Sequence, residues 1–420
     1  MKIAFLTAGG IAPCLSSSIG ALIEKYNEIA PDAELIGYLN GYQGLLLGRF
    51  IQFPDSVKRN FNQLHDFGGS PIGNSRVKLT NVDDCIKRGF VKQGEEPLKV
   101  AADQLTKDGV NILHTIGGDD TNTMAAQLSF YLKKHGYDLT VVGMPKTVDN
   151  DVFPVTQTLG AWTAAEQGAI FFENIVNENT TSTRQLIIHE VMGRHCGWLT
   201  AQTAFDYRSR MKKRAFLPEL LVEQKKWDVD AIYIPEQDFD FKSEVHRLKK
   251  VMDEKDGVNI FLSEGAGQEA IIRELESKGE TVPRDAFGHV RLDEINPGKW
   301  FAEQFAKELG AEKTLVQKSG YFARSAKANS KDLDLIKKSA FFGAEQALQG
   351  KSGLAGLDDG QDSKLRLIEF KKIKGGKPFD VSVDWYQSIL KEMSKLDFLS
   401  KVFEENLLDT FFLKRKWTSF

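Results

Sequence analysis

Short apolar runs alternate along this chain with segments whose apolar residues fall at helical spacing. Residues 3–7 read as a buried strand. Ser16, Ser17 and Ser18 follow as candidate N-caps for a helix carrying Ile19, Leu22, Ile23 and Tyr26 at helical spacing. The same strand, loop and helix recur at 110–116, with a Gly-Gly-Asp-Asp turn and a helix from about Asn122, and again at 185–191, with a helix from about Trp198. Further strand-like runs are 139–144, 231–234, 258–262 and 314–317, separated by helical segments such as 243–252 and 299–309. The alternation predicts an α/β fold with mainly parallel sheets and crossover helices. Ligands in such folds bind beyond the carboxyl ends of the strands, so the loops after strands are the places to look for chemistry. The Gly- and Asp-rich stretch 350–362 reads as a surface excursion, 180–183 as a polar loop, and 385–412 as a packed helix or helix pair.

Composition narrows the class. A chain of 420 residues is long for one core and comfortable for two domains. With 41% hydrophobic and 27% charged residues it falls in the soluble globular range. A formal net charge of −3 gives no global attraction to nucleic acid or anionic membrane, so neither is expected as a partner. Cys14, Cys85 and Cys196 are odd in number and far apart, which suggests ordinary thiols rather than a disulfide framework or zinc pair. The apolar run at 3–6 is too short for a signal-peptide core, and no stretch approaches the ~20 apolar residues that span a bilayer. A cytoplasmic, reducing setting is expected.

Four loops carry candidate chemistry. In Thr7-Ala8-Gly9-Gly10-Ile11-Ala12-Pro13, adjacent glycines before a helix N-terminus either admit an anion or simply make a tight turn. Gly117-Gly118-Asp119-Asp120-Thr121 closes a buried strand; its carboxylates suit a magnesium ion beside a polyphosphate, and they also suit helix capping. Met144-Pro145-Lys146-Thr147-Val148-Asp149-Asn150-Asp151 places a lysine, a threonine and two aspartates in six residues, where one carboxylate can act as base and the other orient it or hold a metal. Glu190-Val191-Met192-Gly193-Arg194-His195 ends another strand with an arginine able to reach a phosphoryl oxygen. His195 reads as a structural hydrogen-bonder or a catalyst.

Together these loops resemble the phosphofructokinase family, from Met1 to about Ser325 and in the right order. The runs Lys146-Thr147-Val148-Asp149-Asn150-Asp151 and Glu190-Val191-Met192-Gly193-Arg194 are diagnostic. Gly41-Tyr42-Gln43-Gly44-Leu45, Gly73-Asn74-Ser75-Arg76, Ser263-Glu264-Gly265 and Gly320-Tyr321-Phe322-Ala323-Arg324 match as well. The resemblance implies two Rossmann-like three-layer domains enclosing the active site in the cleft between them. The first domain comprises 1–160 plus about 320–375 and takes the donor; the second, 161–319 plus 376–420, takes the sugar phosphate. It implies donor binding by Gly10, Arg76, Gly118 and Thr121, magnesium on Asp119, and Asp149 as base with Asp151 in support. Thr147, Met192, Gly193 and Arg194 would lie at the sugar and the reacting groups, and Glu264, Tyr321 and Arg324 would bind fructose 6-phosphate.

Donor choice rests on Asp120 and Lys146. Nucleotide-using members of the family carry glycine at both positions. Aspartate here occupies the space and charge position of the α-phosphate of ATP, and Lys146 supplies positive charge to the transferring or leaving phosphate. The pair is the pattern of the pyrophosphate-dependent branch. Two departures stand out. Gln185 occupies the place of an arginine donated across a subunit interface, with Arg184 one residue earlier as a candidate substitute. Tyr321 replaces a histidine found in many relatives. The resemblance implies a homodimer or homotetramer.

Overall fold

The computed structural model describes residues 1–283 and 292–393. The part of the predicted C-terminal helical segment beyond residue 393 lies outside them. Eleven strands occur among the described residues: β1 (Lys2–Thr7), β2 (Glu34–Tyr38), β3 (Phe50–Gln52), β4 (Ile112–Gly117), β5 (Thr140–Pro145), β6 (Gln185–Val191), β7 (Ala231–Tyr233), β8 (Gly257–Ser263), β9 (Lys313–Lys318), β10 (Gly353–Asp358) and β11 (Lys364–Ile368). The expected α/β architecture with mainly parallel sheets is present.

The chain divides into two compact units. The first comprises Met1–Phe172, Val191–Thr203 and Lys318–Pro378. Its seven-stranded sheet runs β11-β10-β5-β4-β1-β2-β3. The five inner strands pair in parallel, and β3 and β11 close the two edges antiparallel. Apolar side chains of the strands, among them Leu6, Ile36, Leu113, Val141 and Leu354, pack with Leu105, Met124 and Leu128 from helices to form its core. The chain leaves β1 for β2 on one side and returns to β4 on the other. This reversal opens the crevice where α/β sheets take ligands. The loops after β1, β4 and β5 all emerge there.

The second unit includes Glu173–Glu190 and Ala204–Gln317 and resumes at Phe379. Its four-stranded sheet runs β7-β8-β6-β9. Leu186, Ile188, Ile260 and Leu262 pack there against Leu248, Met252, Phe301 and Phe305. Arg184 is absorbed into this unit. Its guanidinium donates to the Leu309 and Gly310 carbonyl oxygens at 2.6 and 2.7 Å and pairs with Asp253 at 2.9 Å, capping the C-terminus of the helix Pro297–Leu309.

Three local expectations are corrected. Ser16, Ser17 and Ser18 are not caps: the helix Leu15–Ile29 already contains them, and Cys14 is its N-cap. The second helix starts at Asp119, three residues before Asn122. The stretch 350–362 is no surface excursion over most of its length, because Gly353–Asp358 is a largely buried strand beside β5. Among the described residues, no helix is long and apolar enough to cross a membrane. All three cysteines are free and buried.

Candidate active site

The loop after β1 is held open by glycine. Gly9 adopts φ +87°, and its amide donates to the Ser75 carbonyl oxygen at 2.9 Å, tying this loop to the Gly73-Asn74-Ser75-Arg76 segment. A Cβ at Gly10 would lie 1.9 Å from Arg324 Nη2 and 3.7 Å from Arg76 Nη2. A side chain here would displace the Arg324 guanidinium, whereas Arg76 would remain at an ordinary contact distance. Arg324 comes from the short helix Gly320–Arg324 and donates through Nε to the Ile11 carbonyl oxygen at 2.7 Å. Its Nη1 lies 3.7 Å from Met192 Sδ, which brings the fourth loop to the same place. Gly193 in that loop has φ +128°.

Lys146 joins this group from the end of β5. It is 4% exposed, and its ammonium donates to the Gly10 carbonyl oxygen at 2.7 Å. Burial is the chief cause that pushes its pKa down to about 8; Arg324 and Arg76 add to this, while Cys14 and Asp149 oppose it. Lys146, Arg76 and Arg324 thus set three cationic side chains around two glycines.

Carboxylates stand beside that basic group. Asp119 and Asp120 open the helix Asp119–Lys134, with Gly118 as its N-cap. The first turn is fixed from below. Tyr42 Oη donates to the Thr121 carbonyl oxygen at 3.0 Å, and Asn122 Nδ2 donates to the Gly117 and Gly118 carbonyl oxygens at 2.8 and 2.9 Å. Burial, then the charges of Asp120 and Asp151, pull the Asp119 carboxyl up to about 6. Its Oδ1 is buried and meets no hydrogen-bond partner among the described residues. Asp120 points outward and pairs with Lys78 at 2.9 Å.

The loop after β5 displays Thr147, Asp149 and Asp151. The Asp149 amide donates to Thr147 Oγ1 at 3.1 Å. Asn150 is left-handed at φ +57°. Burial raises the Asp151 pKa, opposed first by a hydrogen bond from Thr147 and then by its own backbone amide, Lys146 and His195.

Gly10, Arg76, Gly118, Asp119, Asp120, Thr121, Lys146, Thr147, Asp149, Asp151, Met192, Gly193, Arg194, Tyr321 and Arg324 all belong to the first unit, and of these Gly10, Arg76, Lys146, Met192 and Arg324 meet at the glycine loop. Tyr321 is 74% exposed, with its ring 5.8 Å from the Arg324 guanidinium carbon. Glu264 follows β8 in the second unit. Lys78, two residues after Arg76, carried no sequence signal, and Cys14, read from the sequence as an ordinary thiol, is a buried neighbour of Lys146. The Cys14 thiol donates to the Leu159 carbonyl oxygen at 3.2 Å, and burial pushes its pKa up. Lys78 is legible only from its ion pair and Cys14 only from its burial.

Over residues 2–341 the sequence matches the family described as Phosphofructokinase. The chain belongs to the phosphofructokinase family. Among its relatives within that family is the pyrophosphate–fructose 6-phosphate 1-phosphotransferase of Methylomonas methanica, 59% identical over 94% of this chain and 96% of that one. The enzyme of the same name from Mastigamoeba balamuthi is 55% identical over 94% and 96% of the two chains. The crystal structure of the pyrophosphate-dependent phosphofructokinase from Marinobacter aquaeolei shares the phosphofructokinase fold. It has a TM-score of 0.66 at 19% identity and covers 92% of this chain and 88% of that one.

Proposed function

We propose that this phosphofructokinase transfers a phosphoryl group reversibly between pyrophosphate and the 1-hydroxyl of fructose 6-phosphate, giving fructose 1,6-bisphosphate and phosphate. The observation that carries the reading is the buried Lys146 ammonium against the Gly10 carbonyl oxygen. A cation fixed there meets a small, highly charged donor at the glycine loop. Asp120, in the turn after β4, adds repulsion and bulk where a nucleotide would continue. The names carried by relatives more than half identical support the same donor and acceptor.

In this reading Gly10, Gly118 and Thr121 line the donor, and Arg76 and Lys146 neutralise its phosphoryl oxygens. Asp149 accepts the proton of the sugar hydroxyl as its oxygen bonds to the nearer phosphorus; the bond from that phosphorus to the bridging oxygen breaks, and orthophosphate leaves. Thr147 and Asp151 hold this base. Met192, Gly193 and Arg194 contact the sugar and the reacting groups. Glu264, Tyr321 and Arg324 take the sugar phosphate, with Arg324 also against the donor loop. Little covalent chemistry falls to the protein, so positioning and charge stabilisation supply the rate.

Asp119 fits a magnesium ion. Its buried Oδ1 meets no partner among the described residues, and its neighbours concentrate negative charge that a cation relieves. No cluster of three or more His, Cys, Asp or Glu side chains suited to a metal occurs among the described residues. The remaining ligands would then be donor oxygens and water, the usual manner for magnesium. Bound there, the ion would neutralise charge on the phosphoryl oxygens.

The chain is further proposed to act in the cytoplasm as a homodimer or homotetramer, which sedimentation of the purified protein tests. The deciding experiment measures turnover of fructose 6-phosphate with magnesium and either pyrophosphate or ATP in parallel. Strong pyrophosphate activity with negligible ATP activity is expected; activity with ATP alone would overturn the donor assignment.

A further inference from the structure

The loop that displays Asp149 and Asp151 is short, and its left-handed residue Asn150 costs energy unless something holds it. The structure supplies a dedicated holder. Thr158 is fully buried, and its amide and hydroxyl face this loop. Its amide donates to Asn150 Oδ1 at 2.8 Å. Its hydroxyl lies 2.8 Å from the Thr147 carbonyl oxygen and 3.1 Å from Asn150 Oδ1. The amide holds Asn150 and the hydroxyl, with one proton to give, is nearest the Thr147 carbonyl oxygen, so one residue ties the start of the loop to the residue between the two aspartates.

The turn that carries Thr158 is itself fixed on every side. The Leu159 amide donates to the Pro145 carbonyl oxygen at 2.9 Å, and its own carbonyl oxygen accepts from Cys14. Gly160, at φ +91°, donates to Asp332 Oδ1 at 3.0 Å. The other Asp332 oxygen accepts from Thr163, at 2.7 Å from its amide and 2.6 Å from its hydroxyl. No group of this turn needs to touch a substrate for the arrangement to matter. Such a buried, fully paired brace behind a reactive loop has the form of a positioning device.

We propose that Thr158 is a positioning residue for phosphoryl transfer, setting the left-handed turn at Asn150 on which Asp149 and Asp151 are presented. The proposal rests on the function proposed above. It bears on chemistry more than on binding, because Arg76, Arg324 and Asp119 stand on other loops, and Lys146, just before Thr147, is anchored separately to the Gly10 carbonyl oxygen. Loss of the hydroxyl should then lower kcat while leaving both KM values nearly unchanged.

The test is steady-state kinetics of wild type, Thr158→Val and Thr158→Ser with pyrophosphate, fructose 6-phosphate and magnesium. Valine keeps the shape and removes the hydroxyl; serine keeps the hydroxyl. The expected result is a fall in kcat of about 10²-fold for valine, the scale of an ångström misplacement, with both KM values within about twofold of wild type and serine restoring turnover. A valine variant with undiminished kcat, a loss confined to KM, or an equal loss in the serine variant overturns the proposal. If the valine protein does not fold, Asn150→Gly replaces it. That variant keeps the left-handed backbone without the brace, so lowered kcat at unchanged KM supports the proposal and unchanged kcat overturns it. A silent wild type sinks the function reading and this proposal together. An active wild type beside an undiminished variant sinks this proposal alone.

Discussion

Lys146 reaches from the end of one strand to the loop after another and donates to the Gly10 carbonyl oxygen at 2.7 Å. The contact occupies one of its three donors, leaving the others for an anion at the glycine loop. Asp120, three residues beyond the β4 strand, is paired with Lys78 and so keeps its carboxylate directed outward. Replacing both with glycine removes the fixed cation and the repulsive carboxylate in one step. The Asp120→Gly, Lys146→Gly protein should lose at least about 10²-fold in kcat with pyrophosphate, the usual cost of one aimed donor, and gain measurable ATP turnover. Retained pyrophosphate activity with no ATP use would show that donor choice lies elsewhere.

Asp149 sits between Thr147, which receives its amide hydrogen bond, and Asn150, which Thr158 holds. As the proposed base, a carboxylate placed this firmly should contribute mainly to the chemical step. Asp149→Ser should lower kcat by about 10²–10⁴-fold with KM for fructose 6-phosphate little altered. Rapid-quench measurement of one turnover separates this from slowed product release. Near-normal turnover would reject Asp149 as the base.

Much of this arrangement was legible before any coordinates, because a phosphate site writes itself into loops. Consecutive glycines, paired aspartates and a lysine at the ends of apolar runs are costly choices for a bare turn, and they stand where α/β topology gathers them. What escaped the sequence were features decided by packing. Gly353–Asp358 looks like a turn because it carries two glycines and an aspartate. It is a strand paired with β5 and β11, and its glycines answer to close neighbours: a Cβ at Gly353 would lie 2.7 Å from the Ile368 carbonyl oxygen, and one at Gly356 a tight 3.2 Å from Pro145 Cγ. The serines at 16–18 signal a helix start, yet they are buried inside the helix, where small residues are needed; Ser16 donates to the Leu64 carbonyl oxygen at 2.7 Å. Arg184 could be nominated for an anion by its position alone. Its donors are committed to the end of a helix, which only the fold reveals.

The buried Lys146 also predicts a pH dependence. Its pKa is lowered to about 8 from 10.5, so it carries its charge at neutral pH and loses it as pH rises through about 8. The kcat/KM for pyrophosphate reports the free enzyme, and it should fall above about pH 8. Pyrophosphate has its own ionisations, so the comparison that isolates the lysine is Lys146→Arg, whose guanidinium stays charged across this range. Provided that variant retains activity, its profile should lack the limb near pH 8. An identical limb in both proteins would assign it to the substrate.

Gly10 is tested most sharply by the smallest substitution. An alanine Cβ would fall 1.9 Å from Arg324 Nη2, a contact no side chain tolerates, while Arg76 Nη2 at 3.7 Å would be in ordinary contact. The colliding atom is the end of a flexible, partly exposed arginine, so the guanidinium can swing away and the fold should keep its stability to within about 1 kcal/mol. What is lost is the placement of that charge against the loop. Gly10→Ala should therefore lower kcat/KM for both substrates by about 10-fold or more with little change in the unfolding midpoint. The scale follows from a charge-assisted hydrogen bond contributing about 1.5–3 kcal/mol. Because Arg324→Ala removes the same group, adding it to Gly10→Ala should cost little further. A full additional loss in the double variant would mean that the two residues act independently, and that the close approach of Arg324 to the glycine loop is not the reason position 10 requires glycine.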